Sequence, residues 1–268
     1  MIILTCANGE PAKSDSGKIF ENFSFKEVIR STALQAQRCG YTAVVYDLGD
    51  LGIGIPYQVT DKSFIENGYY EQEVVSGYKS KSLFKPDIVG LCLREYHQTV
   101  AYLDGDAQLI GRIDEVDTVD YDIGVTLRAP SELESDWHRT YREVARFVNA
   151  GVIFFRPTAA ARSFVDNWKK LTETLGNDQM ALNQLTCSED YPEVNSIVSI
   201  DGVRVKYFPG EKYNYYYFKE GLEDDIKILH FKGAVRHFYP FDWKKRMYCM
   251  VAVPAINYVK SIIKKRIS

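Results

Sequence analysis

Two aspartates separated by one glycine, Asp104-Gly105-Asp106, stand at the end of an apolar stretch that covers residues 99–103. The stretch predicts a buried strand, and open α/β sheets bind ligands at the carboxyl ends of such strands. Alternate residues of a strand share a face, so both carboxylates can reach one cation. Oxygen ligands suit Mg²⁺ or Mn²⁺, and either metal neutralises phosphate oxygens. The triplet therefore indicates a metal site for a phosphate-containing ligand, although the same residues also form ordinary polar turns.

A second group of candidate residues lies far along the chain, around His230. Lys232 and Arg236 follow this histidine closely, and both can bind phosphate oxygens, arginine with two parallel hydrogen bonds. An imidazole ligand beside two carboxylates favours Mn²⁺ over Mg²⁺. The alternative is a packed histidine at a strand end. We expect His230 to complete the metal site with Asp104 and Asp106.

Three further segments carry polar side chains that could bind a ligand, and each has a purely structural alternative. Asn149 precedes an Ala-Gly pair at the start of an apolar strand, where its amide can bind a hydroxyl or stabilise a turn. Asp178 and Gln179 open a predicted helix, where they can face a cleft or stabilise the helix start. Lys85 lies ahead of the strand that carries the aspartates and could equally be a solvated surface lysine.

The elements that must position these residues alternate between strand and helix. Apolar segments bounded by turn residues predict strands over residues 2–6, 42–48, 99–103, 120–128, 148–156, 203–208 and 226–231. Helices are predicted from the capping box Ser24-Phe25-Lys26-Glu27 to Gly40, over residues 83–96 and 158–175, and from Asp178 onward. This alternation predicts an α/β fold with a parallel arrangement of strands.

The composition narrows the classes of function. The chain has 268 residues, of which 46% are hydrophobic, enough for a sizeable core. A net charge of -3 argues against a nucleic-acid partner, which would need a basic surface. The five cysteines are scattered without a C-x-x-C pair, which suits reduced thiols rather than disulfides or a zinc site. Neither a secretory signal nor a membrane-spanning apolar run is visible, so we expect a cytoplasmic protein.

Four segments occur in a fixed order: Asp104-Gly105-Asp106 after a strand, Asn149-Ala150-Gly151 at the start of another, Asp178-Gln179 at a helix start, and residues 230–236. This ordered set resembles the GT-A glycosyltransferases, and more narrowly the retaining group that contains glycogenin and bacterial lipopolysaccharide galactosyltransferases. The resemblance covers residues 1–240. Two features depart from that group: Arg236 stands where a lysine is usual, and the tryptophan that usually follows is absent.

The resemblance implies a GT-A fold, which is a Rossmann-like, mixed, mostly parallel sheet flanked by helices. It also implies a glycosyltransferase that moves a sugar from a nucleoside-diphosphate donor, expected to be UDP-linked, to a glycan or lipid-linked acceptor with retention of configuration. Asp104, Asp106 and His230 would hold Mn²⁺ or Mg²⁺, and Asp178 and Gln179 would lie beneath the donor sugar as catalytic residues. The donor would also contact Thr5, Cys6, Ala7, Lys85, Gly105, Asn149, Lys232, Gly233 and Arg236.

Two other functions stay open from the sequence. A carbohydrate-binding or scaffold protein could retain a transferase fold without activity. A sugar-nucleotide nucleotidyltransferase would share the fold class and the metal, but it should carry a glycine-rich basic loop after the first strand. Residues 7–11 lack the repeated glycines and the arginine of such a loop.

The last part of the chain, residues 241–268, is predicted to form a basic tail outside the domain of residues 1–240. Between Trp243 and Ser268 there are seven lysines and arginines, no acidic residue and many interleaved apolar residues. This pattern predicts two membrane-surface helices interrupted at Pro254, in peripheral contact with the inner face of a membrane. The alternative is a helix whose apolar face covers the sheet.

Overall fold

The computed structural model describes residues 1–7, 21–47, 58–60, 72–73, 79–80, 84–135, 138, 146–187, 190–218, 225–241 and 243–267. Its strands are β1 (Ile2–Ala7), β2 (Thr42–Asp47), β3 (Gln58–Thr60), β4 (Gln72–Glu73), β5 (Lys79–Ser80), β6 (Val100–Asp104), β7 (Ala107–Leu109), β8 (Ile123–Leu127), β9 (Val148–Phe155), β10 (Ile197–Ile200), β11 (Val203–Pro209) and β12 (Ile228–His230).

The α-helices are α1 (Phe25–Arg38), α2 (Lys85–Tyr96), α3 (Pro130–Leu133), α4 (Ala159–Leu175), α5 (Asp178–Thr186), α6 (Gly210–Tyr213), α7 (Trp243–Met247) and α8 (Val253–Ile267). Two 3₁₀ segments cover Asp114–Asp117 and Gly233–Phe238, and a π-helical segment covers Tyr248–Ala252.

Eight strands form the main sheet, in the order β10-β11-β8-β9-β6-β1-β2-β3. Strand β1 pairs in parallel with β2 and β6, β2 pairs in parallel with β3, and β8 pairs in parallel with β11. Strand β9 runs antiparallel between β6 and β8, and β10 is an antiparallel edge strand. The sheet is therefore mixed and mostly parallel.

Local sequence signals explain the two helices that were predicted with caps. The side chain of Ser24 accepts a hydrogen bond from the Glu27 amide at the start of α1, as the capping box requires. Helix α4 begins after Thr158, whose side chain accepts from the Ala161 amide, and it ends at Gly176 with φ of 65°. Glycine tolerates that left-handed conformation because it has no Cβ.

Apolar side chains fill both faces of the sheet. One cluster joins β1, β6 and β9 to α2, α4 and α5, with Trp168 of α4 fully buried. A second cluster packs the opposite face against α1, where Ala33 and Ala36 allow the helix to lie close to the strands. Burying this apolar surface on both faces stabilises the sheet that carries the candidate site.

The register of the strands brings distant residues to one edge. Cys6 of β1 lies opposite Asp104 of β6, so the first strand ends beside the aspartate triplet. After that triplet the chain turns into β7, which pairs antiparallel with β12 and places Ala107 opposite His230. This small second sheet explains how a histidine 124 residues from Asp106 reaches it.

The C-terminal segment differs from its prediction. Helices α7 and α8 are consecutive with the π-helical segment between them, so Pro254 lies in the first turn of α8 and does not separate two helices. A proline is tolerated within this continuous segment because the π-helical turn before it already departs from regular α-helical hydrogen bonding, with the Val253 N–H bonded to the Tyr248 carbonyl. All described side chains from Pro254 to Lys260 are exposed, so the alternative of a helix that covers the sheet is wrong for this stretch. Among the described helices, none is long and apolar enough to cross a membrane.

Candidate active site

Asp104, Asp106 and His230 form a group that could hold a metal ion. One ligand atom from each residue lies within 4.8 Å of the others. The His230 Nε2 atom is 3.1 Å from Asp106 Oδ1 and 4.0 Å from Asp104 Oδ2. Two carboxylates and an imidazole are a donor set that suits Mn²⁺ or Mg²⁺.

Asp106 is buried and has a cationic neighbour on its second oxygen. Arg236 Nη2 donates to Asp106 Oδ2 at 2.7 Å. Burial opposes ionisation of Asp106, but the neighbouring His230 and then Arg236 outweigh it and hold the pKa of this carboxyl well below its usual range. Asp106 is therefore a permanent carboxylate at neutral pH, as a metal ligand must be.

Lys85 lies between two carboxylates and joins two parts of the site. Its Nζ atom is 2.9 Å from Asp104 Oδ1 and 2.9 Å from Asp178 Oδ2. Burial disfavours the charge of Lys85, but Asp104 and Asp178 outweigh it and raise its pKa. The surface-lysine alternative is wrong, because Lys85 is only 6% exposed.

The Asp104 carboxylate has a further partner that sequence reasoning missed. The Tyr102 hydroxyl donates to Asp104 Oδ1 at 2.8 Å, and the Cys6 Sγ atom lies 3.7 Å from the same hydroxyl. Burial is the main reason that the pKa of Cys6 rises to about 12. Cys6 is therefore a neutral thiol packed against the strand that carries Asp104.

The rear side of His230 faces a buried asparagine. Its Nδ1 atom lies 2.7 Å from Asn214 Oδ1, and the amide of Asn214 donates to Thr126 Oγ1 at 2.8 Å and to Asn149 Oδ1 at 3.1 Å. Gly151 makes room for the ring, because a Cβ atom there would lie 2.2 Å from His230 Cε1. The Asn-Ala-Gly segment therefore contributes space and a hydrogen-bond acceptor behind the histidine.

Strand β9 has an irregularity at this segment that α5 stabilises. The register with β8 shifts so that Val125 faces Ile153 while Thr126 faces Asn149. The Gln179 side chain bridges the irregular backbone, with Oε1 accepting from the Ala150 amide and Nε2 donating to the Val148 carbonyl, both at 2.8 Å. The side chain of Gln179 thus fixes the position of β9 relative to the helix that begins with Asp178.

Lys232 lies in a second buried charge cluster, next to the first. Its ammonium is 3.4 Å from the Tyr216 ring centroid and 3.4 Å from Glu132 Oε1. Burial and the nearby Arg128 lower the pKa of Lys232 to about 7. Burial opposes the ionisation of Glu132, but Lys232, Arg128 and the Tyr216 hydroxyl outweigh it and lower its pKa to about 2.

Glu132 also accepts from the Tyr217 hydroxyl at 3.1 Å, and Arg128 Nη1 lies 2.5 Å from its Oε1 atom. The aromatic run that contains Tyr216 and Tyr217 is buried. Its rings form the wall that supports Lys232.

The remaining predicted donor contacts lie around this edge. Thr5 is buried near the end of β1, and Ala7 is the last residue of that strand. Gly105 lies in the turn between β6 and β7, and Gly233 opens the 3₁₀ segment with φ of 56°. The structure thus gathers the predicted residues at the carboxyl ends of β1, β6 and β12, and their contacts with a donor stay predictions.

Sequence reasoning missed Glu132, Asn214 and Arg128. Glu132 lies four residues after Arg128 in a helix of one turn, which is an ordinary surface spacing. Asn214 follows Tyr213 in a run of aromatic residues, where a single asparagine gives no signal of a function. Glu132 contacts Lys232 100 residues away, and Asn214 contacts Asn149 65 residues away, so no local signal could have identified these two residues.

Comparison with known proteins agrees with this geometry. Residues 125–237, under half of the chain, match the family model described as nucleotide-diphospho-sugar transferase. No curated protein sequence matches the chain.

Several solved glycosyltransferases have a similar fold. The galactosyltransferase LgtC, in complex with donor and acceptor sugar analogues, is 13% identical with a TM-score of 0.54, over 95% of both chains. An active-site Gln-to-Glu variant of LgtC is also 13% identical, with a TM-score of 0.54, over 92% of this chain and 94% of that one. A glycosyltransferase involved in glycosylation of the major capsid of PBCV-1 is 12% identical, with a TM-score of 0.50, over 88% of this chain and 97% of the other.

These similarities show the GT-A fold that the sequence predicts. Together with the family match they support an enzyme of the nucleotide-diphospho-sugar glycosyltransferase type.

Proposed function

We propose that this protein is a divalent-metal-dependent glycosyltransferase that takes its sugar from a UDP-linked donor and retains the anomeric configuration. The observation that carries the proposal is the convergence of Asp104, Asp106 and His230, with their ligand atoms within 4.8 Å of one another. Asp104 and Asp106 lie two residues apart at the end of β6, and the pairing of β12 with β7 brings His230 to them.

The donor set fits Mn²⁺ or Mg²⁺, because it offers two oxygen ligands and one imidazole nitrogen. A divalent cation held there would neutralise the negative charge that develops on the diphosphate leaving group. Arg236, which contacts Asp106, supplies further positive charge, and Lys232, two residues after His230, is partly protonated near neutral pH and would gain its full charge beside a diphosphate. We assign both side chains to the diphosphate.

Asp178 and Gln179 are the proposed residues beneath the donor sugar. Lys85 keeps the Asp178 carboxylate adjacent to Asp104, which supports a role for Asp178 close to the metal. LgtC has an active-site glutamine, and Gln179 is the second residue of α5, beside the candidate site. Gln179 is a poor nucleophile, so Asp178 is the only one of the pair suited to a covalent route.

Retention without a protein nucleophile is the route that we favour. In a front-face displacement the leaving phosphate oxygen takes the proton of the acceptor hydroxyl, and the protein needs only to position both substrates. Arg236, Lys232 and Lys85 would orient the donor in this route, and a separate general base is not required.

The acceptor proposed is a glycan or lipid-linked glycan at the cytoplasmic face of a membrane. The support comes from the C-terminal helices, where Val251 and Val259 expose 59% and 54% of their surface. Apolar side chains interleaved with lysines match an anionic bilayer surface, which takes up both. Peripheral contact there would bring a lipid-linked acceptor close to the site.

Two measurements test the proposed function. UDP release from a panel of UDP-sugars is expected to depend on Mn²⁺, and proton NMR of the first-formed product should show the anomeric configuration of the donor. A protein that binds UDP-sugars with Mn²⁺ but releases no UDP with any acceptor would instead be a sugar-binding protein. An inverted product would contradict the retaining assignment and would require a carboxylate base on the acceptor side.

A further inference from the structure

The two ring nitrogens of His230 have different surroundings. Nε2 faces Asp106 Oδ1 at 3.1 Å and Asp104 Oδ2 at 4.0 Å, whereas Nδ1 faces Asn214 Oδ1 at 2.7 Å. A neutral imidazole carries its proton on one nitrogen only, and a metal can bind only the other. The residue that sets the position of that proton therefore decides whether the nitrogen beside the carboxylates can bind a cation.

The hydrogen bonds behind His230 fix which atom of Asn214 faces the ring. The backbone amide of Gly151 donates to the Asn149 side chain at 2.8 Å, and an N–H group can only donate, so the accepting atom of Asn149 is its oxygen. The Asn214 atom that lies 3.1 Å from this oxygen must then be the amide nitrogen. The other amide atom, the oxygen, is left to face His230.

Thr126 supports the same orientation independently. Its hydroxyl has carbonyl oxygens within reach, at 3.2 Å for Asn149 and 3.1 Å for Val152, and these can only accept. The single hydroxyl hydrogen is directed to them, so Thr126 Oγ1 must accept from the Asn214 nitrogen, at 2.8 Å. Asn214 is buried at 1% exposure, and reversing its amide would place oxygen against oxygen at two contacts.

We propose that Asn214 is a positioning residue that holds the His230 proton on Nδ1 and so leaves Nε2 free to bind a divalent cation with Asp104 and Asp106. This inference rests on the proposed metal site. It adds Asn214 to that site as a residue that does not bind the metal itself but acts through the ligand His230. It also changes the assignment of Asn149, whose oxygen serves as the fixed point of this network through the Gly151 amide. Partners of this kind behind a histidine ligand set its tautomer and its orientation.

The first test measures Mn²⁺ affinity without nucleotide, by the electron paramagnetic resonance signal of unbound Mn²⁺. Asn214→Leu keeps the size of the side chain but removes its oxygen, and we expect affinity to fall by about 10- to 100-fold. Asn214→Asp keeps an acceptor toward Nδ1 and should retain more affinity than Asn214→Leu. The matched control is Asn183→Leu, since Asn183 is equally buried and binds the Phe147 and Val148 amides without contacting His230.

The second test reads the proton directly in protein with an unaltered Asn214, and a histidine variant serves only to assign the signal. In protein labelled with ¹⁵N-histidine and bound to diamagnetic Mg²⁺, the His230 ring should carry its proton on Nδ1. The chain has only four histidines, so His230→Gln identifies the signal by its disappearance. A proton on Nε2 in the Mg²⁺-bound protein would overturn the proposal, even if Asn214→Leu does not fold.

The outcomes separate the inference from the function beneath it. Equal Mn²⁺ affinity in the unaltered protein and in Asn214→Leu would overturn the role of Asn214 and leave the metal site intact. An equal loss of Mn²⁺ affinity in Asn183→Leu would show that the effect of Asn214→Leu comes from general destabilisation of the fold. That result would also overturn the role of Asn214. Failure of the unaltered protein to bind Mn²⁺ or Mg²⁺ would overturn both the proposed metal site and this inference.

Discussion

The candidate active site and the C-terminal helices both combine charged and apolar residues, but they distribute them in opposite ways. At the site the charges are buried and paired: Lys85 contacts Asp104 and Asp178, and Arg236 contacts Asp106. In the C-terminal helices Cys249 and Val253 are buried, but Val251, Val259 and Ile263 are exposed, and lysines lie among them in the sequence.

The two arrangements need different partners. A buried charge is destabilising unless an opposite charge and hydrogen bonds compensate it, so the site can exist only where the fold supplies those partners. An exposed apolar face does not prevent the chain from folding, but covering that face with another surface lowers the free energy. The buried charges of the site are therefore compensated by other residues of the chain. We infer that the exposed apolar side chains of the C-terminal helices are covered by a partner outside the chain, which is the membrane surface proposed above.

Among the substitutions that test this difference between the two regions, Lys85→Met is expected to have the largest effect. Removing the ammonium leaves the buried Asp178 and the partly buried Asp104 without their shared cation, and breaking a buried ion pair in this way costs about 3–5 kcal/mol of unfolding free energy. Urea denaturation measures the loss. The matched control is Lys169→Met, because Lys169 pairs with Asp87 at 2.5 Å but is 44% exposed. The control should lose less than about 1 kcal/mol, and equal losses in the two variants would contradict the account.

A smaller and pH-dependent effect is expected from Glu132→Gln. The folded-state pKa of Glu132 is lowered from 4.5 to about 2, so its ionised form stabilises the fold above pH 4.5. That contribution is lost as pH falls from 4.5 through 2, and its full size is about 3 kcal/mol. The stability difference between the unaltered protein and Glu132→Gln should therefore be large at pH 6 and shrink toward pH 2. A difference that does not change with pH would show that Glu132 acts through packing alone.

The smallest effects belong to the C-terminal face. Changing Lys244, Lys245 and Lys260 to glutamine should weaken sedimentation with anionic vesicles at low salt, by about 1 kcal/mol for each lysine. Turnover with a soluble acceptor should stay unchanged. The same net charge change in the control Lys26→Gln, Lys170→Gln and Lys227→Gln should leave vesicle binding intact. Vesicle binding that is unchanged after substitution of Lys244, Lys245 and Lys260 would contradict the membrane proposal. Failure of the unaltered protein to bind anionic vesicles at low salt would contradict it as well.

The contrast also explains what the sequence could predict. Helix α1 and helix α4 carry their own caps at Ser24, Thr158 and Gly176, and the structure begins and ends them there or within a residue or two. The aspartate triplet and the strand before it are likewise contiguous in sequence. Such features depend on neighbours within a few residues, so their residue types and spacing are sufficient.

Features that depend on distant partners could not be predicted. The antiparallel insertion of β9 between β6 and β8, the Lys85 bridge to Asp178, and the contact of Asn214 with Asn149 join residues far apart in the chain. The break expected at Pro254 failed for a different reason, since a π-helical turn precedes the proline and lets the helical segment continue through it. Two helices separated by a proline and one continuous helical segment that contains a proline have the same local sequence pattern, so the sequence could not distinguish them.

The central claim is that Asp104, Asp106 and His230 hold a divalent cation for the diphosphate of a nucleotide sugar. The most direct measurement is calorimetric titration of UDP, with Mn²⁺ and with a chelator, into the unaltered protein and into Asp106→Asn. We predict UDP binding that requires Mn²⁺ in the unaltered protein and is lost in Asp106→Asn, with turnover at least about 100-fold lower in that variant. Asp114→Asn is the control, because Asp114 is an exposed carboxylate paired with Arg112. Equal UDP affinity with Mn²⁺ and with chelator, or normal binding by Asp106→Asn, would contradict the account.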